Sequence, residues 1–178
     1  MIKIEDKSLC TGCGSCVQSC PLHCISLEAD EEGFYYPKVK EKVCIDCGKC
    51  EAVCPCINSI SHSKEKTDVW CVKHQNDRIR FDSSSGGVFS ALAEYIIQRK
   101  GVVFGAAMSA DNRAVEHIAV QSLQEIERIR GSKYLQSALG DSYALAKEYL
   151  EQGRKVLFSG TPCQIKGLKL YLKKDFEN

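Results

Sequence analysis

The sequence predicts an α+β protein in two parts: a small cysteine-rich part over 1–60, a linker over 61–68, and a mixed α/β part over 69–178. Three observations predict it. A cysteine run occurs twice near the start, a polar serine-rich stretch follows, and beyond it apolar strands alternate with amphipathic helices.

Composition narrows the setting. Twelve cysteines in 178 residues would suit a disulfide scaffold in a small secreted domain. The start, Met1-Ile-Lys-Ile-Glu-Asp-Lys7, has no apolar core segment and no cleavage-like site, so a reducing, cytoplasmic setting with thiolates held by metal is expected. The longest apolar-rich stretch, 101–110, is too short to span a bilayer. A net charge of +1 with both signs mixed lacks the footprint of a nucleic-acid binder.

The cysteine run is Cys10-Thr-Gly-Cys13-Gly-Ser-Cys16-Val-Gln-Ser-Cys20-Pro21, and it recurs as Cys44-Ile-Asp-Cys47-Gly-Lys-Cys50-Glu-Ala-Val-Cys54-Pro55. Both copies have the spacing C-x2-C-x2-C-x3-C-P of bacterial two-cluster ferredoxins. Zinc is the rival metal. Structural zinc takes four ligands, usually from two separated pairs, and has no use for three thiols crowded on one loop. The spacing therefore points to two 4Fe–4S clusters. In such runs the fourth cysteine ligates the other cluster. The expected sets are Cys10, Cys13, Cys16 and Cys54 for one cluster, and Cys44, Cys47, Cys50 and Cys20 for the other. Metal–thiolate bonds should supply much of the stability of so small a core.

Around these loops, alternation at Ile2 and Ile4 predicts a first short strand. Gly12 and Gly14 let the backbone wrap closely, with amides turned toward sulfur. A helical turn over Ser15–Cys20 should stop at Pro21. Residues 24–27 and 34–37 read as paired strands about a turn at Gly33. Cys24 and Cys56 fall just outside the runs. They read as small buried apolar side chains, with a ligand role left open for Cys56.

Past the linker, 69–72 (Val-Trp-Cys-Val) reads as a short strand. A helix follows over 87–99, with Val88, Phe89, Leu92, Tyr95 and Ile96 on one apolar face. Val102–Met108 reads as a strand covered on both faces, and 115–121 as a second strand. Ser122-Leu-Gln-Glu125 starts a short helix ending near Gly131, and 141–152 is another helix. Val156–Phe158 is a buried strand. Thr161, Pro162 and Gln164 then form the N-cap, N1 and capping box of a last helix to about Lys173.

Two further sites stand out. The turn Ser83-Ser-Ser-Gly-Gly87 feeds a helix N-terminus, where free N–H groups favour an anion. Ser85, Gly86 and Gly87 are candidates for a cofactor phosphate, and the plain alternative is that the serines cap the helix. It is not a dinucleotide fingerprint. Cys163 sits at N2 of the last helix, where the dipole and the nearby Lys166 and Lys169 favour thiolate. It reads as a reactive thiol, a further ligand, or a packing residue at a tight turn. The histidines (His23, His62, His74, His117) are scattered and read as surface or capping residues.

The two runs, with Ser83-Ser-Ser-Gly-Gly-Val-Phe-Ser-Ala-Leu, Gly101-Val-Val-Phe-Gly-Ala-Ala, Arg130-Gly-Ser-Lys-Tyr-Leu-Gln-Ser and Val156-Leu-Phe-Ser-Gly-Thr-Pro-Cys-Gln-Ile, resemble the beta subunit of the coenzyme F420 (deazaflavin) hydrogenase/dehydrogenase family over essentially the whole chain. The resemblance implies an iron–sulfur flavoprotein. Its FAD would exchange a hydride with a deazaflavin or a similar donor, and single electrons with the clusters. A redox partner protein or oxidoreductase subunit is implied as well. Family members normally continue well past the Gly-Thr-Pro-Cys-Gln segment, so the chain reads as an N-terminal portion. The rival reading is a ferredoxin-like carrier whose α/β part only docks to a partner.

Overall fold

The computed structural model describes residues 1–58 and 68–176. The linker expected at 61–68 therefore lies, apart from Asp68, outside the described residues, and so does His62. The chain divides into two compact units. One takes Met1–Ser61 together with Gly160–Asp175, and the other takes His62–Ser159.

The first unit is built on the repeat. Helix α1 (Ser15–Ser19) and helix α2 (Lys49–Ala52) each follow a cysteine loop, and each starts from a left-handed glycine, Gly14 at φ 75° and Gly48 at φ 70°. A side chain in that conformation is strained, so glycine occupies the same place in both copies. Strands β1 (Ile25–Ala29) and β2 (Tyr35–Val39) pair antiparallel, with Leu27 opposite Pro37. The core of this unit is Ile2, Ile25 and the buried cysteines 16, 20, 24, 50 and 54. Five of its seven buried members are thus cysteine.

The strand expected at Ile2–Ile4 does not form. Ile2 is instead held by packing, at 4% exposure, while the Met1 ammonium pairs with Asp46 and, at 3.3 Å, with Glu51. Side-chain burial and ion pairs take the place of a ladder.

The second unit carries a four-stranded mixed sheet in the order β5-β4-β3-β6. Strand β3 (Val102–Met108) pairs antiparallel with β4 (Val115–Val120) and parallel with β6 (Val156–Phe158), while β5 (Ser137–Ala138) runs parallel to β4. Val102, Val103 and Phe104 of β3 are fully buried, as a strand covered on both faces requires. Strand β6 is half-buried rather than buried.

Helices α3 (Asp77–Phe81) and α4 (Val88–Gln98) precede the sheet; α5 (Ile126–Ile129) and α6 (Ser142–Glu151) follow β4. Glu125 accepts from Ser122 N and, at 2.9 Å, from Ser122 Oγ, but the helix starts only at Ile126 and makes one turn.

Two expectations fail in this unit. Residues 69–72 form no strand and are exposed, with Trp70 at 80%. Their neighbour is the serine–glycine turn rather than a sheet edge: a Cβ on Gly86 would stand 2.5 Å from the Val72 carbonyl oxygen. On α4 the buried positions are Ser90 and Ala93, with Phe89, Ile96 and Ile97 packed on the same core. Val88, Leu92 and Tyr95 face out. The helix meets the sheet through small residues at its centre, which let it approach closely, with Phe89, Ile96 and Ile97 packed beside them and Val88, Leu92 and Tyr95 left on the exposed flank.

The last helix, α7 (Pro162–Leu172), has the expected cap. Thr161 N donates to Gln164 Oε1 at 2.9 Å, and the reciprocal bond to the Thr161 side chain completes the box. Helix α7 packs on α1 within the first unit, with Gln164, Gly167 and Leu168 buried. No helix among the described residues is long and apolar enough to cross a membrane.

Candidate functional site

The cysteines line two cavities, both in the first unit. Cys10, Cys13, Cys16 and Cys54 line one, together with Cys56. Cys20, Cys44, Cys47 and Cys50 line the other, together with Cys24. Each cavity thus joins three cysteines of one run to the fourth cysteine of the other run. Among the described residues no three His, Cys, Asp or Glu side chains are drawn together tightly enough for a single metal ion.

The first cavity has no ionisable group in its lining besides the thiols. Burial pushes the Cys16 thiol up to about 12, and burial also raises Cys10 and Cys54. Backbone N–H groups act the other way: Gly12 on Cys10, Val17 on Cys16, and Cys56 and Ile57 on Cys54. In the second cavity Asp46 N donates to Cys44 Sγ and Cys24 N to Cys20 Sγ, each at 3.4 Å. Buried thiols with little cationic compensation, such as Cys10, Cys16 and Cys54, are poor free thiolates and suit a metal, whereas at Cys20 burial is outweighed by amide bonds that lower the pKa. Iron supplies the missing positive charge, and the amides favour the added negative charge of reduction. The donor set therefore fits 4Fe–4S clusters.

Cys24 is buried as expected, and its sulfur lies 3.3 Å from that of Cys20. That hydrogen bond and burial push Cys24 up to about 11. Cys56 departs from the expectation of a buried side chain: it is exposed, at the mouth of the first cavity. Cys71 is exposed on the segment that failed to form a strand.

Cys163 is half-buried with its sulfur 3.1 Å from Thr161 Oγ1. Of the two expected cationic neighbours, Lys166 is engaged elsewhere, because its Nζ donates to the Pro55 carbonyl at 2.5 Å, and Lys169 is exposed.

The serine–glycine turn is not a serine cap. Ser83 Oγ donates to Ile79 O at 2.6 Å, and Ser84 Oγ accepts from Ser132 N at 2.7 Å. Gly87, in the left-handed region, is the N-cap of α4 and provides no side-chain bond. The plain capping alternative is thereby corrected. Ser85 is exposed beside it.

In the sequence 83–87 and 130–134 are separate motifs; the fold joins them. Arg130 Nε donates to the buried Ser90 Oγ at 3.1 Å, and Lys133 Nζ to the Arg128, Arg130 and Gly131 carbonyls. Burial lowers the Lys133 pKa. Lys133 thus closes its own loop, while the loop docks on the first turn of α4.

His117, read from the sequence as a surface or capping residue, is buried at 8% exposure. It stacks on Phe158 at 5.3 Å, and its Nε2 is 2.9 Å from the Ser159 carbonyl oxygen. That carbonyl can only accept, so Nε2 carries the hydrogen. Burial depresses the His117 pKa.

Residues 9–58 match the 4Fe-4S dicluster domain, and residues 69–142 match the N-terminal family of the coenzyme F420 hydrogenase/dehydrogenase beta subunit. Residues 69–142 thus belong to the N-terminal family of coenzyme F420 hydrogenase/dehydrogenase beta subunits.

The chain is similar to the coenzyme F420-dependent sulfite reductase of Methanocaldococcus jannaschii, 26% identical over 94% of this chain and 26% of that protein. It is also similar to the F subunit of the F(420)H(2) dehydrogenase of Methanosarcina mazei, 22% identical over 94% of this chain and 50% of that protein. The chain thus spans half or less of the length of these two relatives. Its cysteine-rich part is 39% identical to a 7Fe ferredoxin of Hydrogenibacillus schlegelii, over 42% of this chain and 88% of the ferredoxin. The chain carries an iron–sulfur domain of the ferredoxin type, suited to electron transfer.

Proposed function

We propose that the chain is the electron-transfer portion of a cytoplasmic, flavin-dependent oxidoreductase. Cys10, Cys13, Cys16 and Cys54 hold one 4Fe–4S cluster, and Cys44, Cys47, Cys50 and Cys20 hold the other. The single observation that carries this reading is the lining of the two cavities, in which each set of four meets across the repeat. Such clusters supply one-electron chemistry over a wide range of potential. The chain's own groups bind through sulfur, direct amides at the ligands, and keep water from the buried thiols.

The flavin is FAD, exchanging hydride with a deazaflavin or a similar donor, and Ser85, Gly86 and Gly87 hold its phosphate at the start of α4. This part of the reading is supported by the uncapped α4 terminus and by the Arg130 loop docked beside it. A protein partner, as another oxidoreductase subunit, completes the path. The name of the Methanosarcina mazei relative as a subunit supports that partner.

A second reading, a carrier without flavin, is favoured by the ferredoxin match over 88% of that protein. Anaerobic purification followed by iron, sulfide and flavin stoichiometry separates the two. Flavin absorption that survives gel filtration supports the oxidoreductase; iron–sulfur absorption alone supports the carrier.

A further inference from the structure

We propose that Lys166 is an electrostatic tuning residue that raises the reduction potential of the cluster held by Cys10, Cys13, Cys16 and Cys54 above that of its twin. The inference rests on the ligand reading above and goes beyond it by making the two sites inequivalent.

The geometry is specific. Lys166 Nζ reaches back across 111 residues of sequence to the Pro55 carbonyl, at 2.5 Å and partly buried. Pro55 lies between the ligand Cys54 and Cys56, and all three line the first cavity. The bond therefore fixes an ammonium one residue from a ligand, behind a cavity whose lining has no other cation. The matching Pro21 of the other run receives no such bond among the described residues. On that side the Met1 ammonium is already paired with two carboxylates, Asp46 and Glu51. Lys49 also stands in that lining, but it is exposed, so water screens its charge. The repeat supplies the same sulfurs twice, and α7 brings a partly buried, tethered cation to one copy only.

Reduction adds one negative charge to a cluster. A fixed cation at the wall of a partly buried site stabilises that charge more than an exposed or paired one does. Net charge around the sulfurs is one of the levers by which a protein sets such potentials. A purely mechanical clamp between α7 and the 53–57 loop would hold the fold without moving a potential.

The test is an anaerobic redox titration of the full chain, loaded with both clusters and followed by electron paramagnetic resonance. Lys166→Gln keeps a donor for the carbonyl and removes the charge; Lys166→Arg keeps the charge. We expect Lys166→Gln to lower the potential of one cluster, the one whose signal Cys13→Ser removes. The reduced-to-oxidised ratio at fixed potential should fall several-fold, where tenfold corresponds to ~59 mV for a one-electron couple. The other cluster and the Lys166→Arg protein should titrate like wild type.

Full iron with unchanged potentials in Lys166→Gln overturns the inference, and so does an equal shift of both clusters. Lys166→Met provides a second neutral variant. Iron loss in both neutral variants but not in Lys166→Arg makes Lys166 a clamp and also overturns it. A wild-type chain that loads only one cluster overturns the ligand reading itself and is recognised from iron and sulfide content alone.

Discussion

The two cysteine cavities share one spacing and one pair of left-handed glycines, but their surroundings differ. Around the first, the lining is neutral apart from its thiols, Cys56 opens to solvent, and helix α7 brings Lys166 to the carbonyl of Pro55 in that lining. Around the second, Asp46 and the chain's own ammonium stand in the lining as a neutralised pair, and Lys49 lies open to water. There Cys47 is exposed, and Cys24 is packed against a ligand. A duplicated motif fixes which atoms bind. The neighbours it does not encode give the two cavities different charge environments.

The strongest way to break this comparison is to remove the metal. The first unit buries mostly sulfur, so stripping iron under reducing conditions should unfold it, while the sheet of β3 and β4 keeps its own core. Hydrogen exchange should then show protection lost over 1–58 and 160–175 and kept over 102–120. Equal loss in both regions would mean that the cysteine cavities do not hold the first unit together.

Next in size is the crossing of ligands. Cys13→Ser and Cys54→Ala should each remove about half of the iron and erase the same resonance signal, whereas Cys47→Ser erases the other. If Cys54→Ala instead matches Cys47→Ser, each run holds its own cluster and the crossed sets are wrong.

The sheet provides the metal-free contrast. Phe104 is fully buried and stacked on Phe158 at 5.3 Å. Phe104→Ala should cost about 3–5 kcal/mol in the second unit, measured by urea unfolding, and leave the iron content alone.

The smallest expected effect is on pH. Burial lowers the folded-state pKa of His117 below its unfolded value, so the unfolded chain binds more protons. The stability it contributes is complete above its ordinary value of 6.5 and falls as the pH drops below that value toward the folded pKa. His117→Gln, which keeps a donor for Ser159, should flatten the slope between unfolding experiments run at about pH 5 and about pH 7.5.

The cysteine loops were legible because their spacing lies in the chain itself, which limits how far apart the sulfurs can stand. Helix α7 was equally legible at its start, where Thr161, Pro162 and Gln164 act within one turn. The failures lie where distance in sequence is large or where size matters more than apolarity. No periodicity identifies Ser90 and Ala93 as the buried side of α4 ahead of Leu92 and Tyr95, because close approach to the sheet selects small residues. Val69 and Trp70 have strand-forming side chains, yet the four strands of the sheet pair among themselves. A two-residue strand such as β5 is too short to leave a pattern. The Lys166–Pro55 bond and the docking of Ser132 on Ser84 join residues that only the fold makes neighbours.

Helix α7 also sets a timetable. Because the first unit includes residues 160–175, the ribosome must make the whole intervening unit before the last piece of the first one exists. The cysteine loops are made first, and α7 joins α1 only after the sheet has been synthesised. A chain interrupted within the sheet would carry every residue that lines the two cysteine cavities but lack the helix that packs on α1 and the Lys166 bond to Pro55.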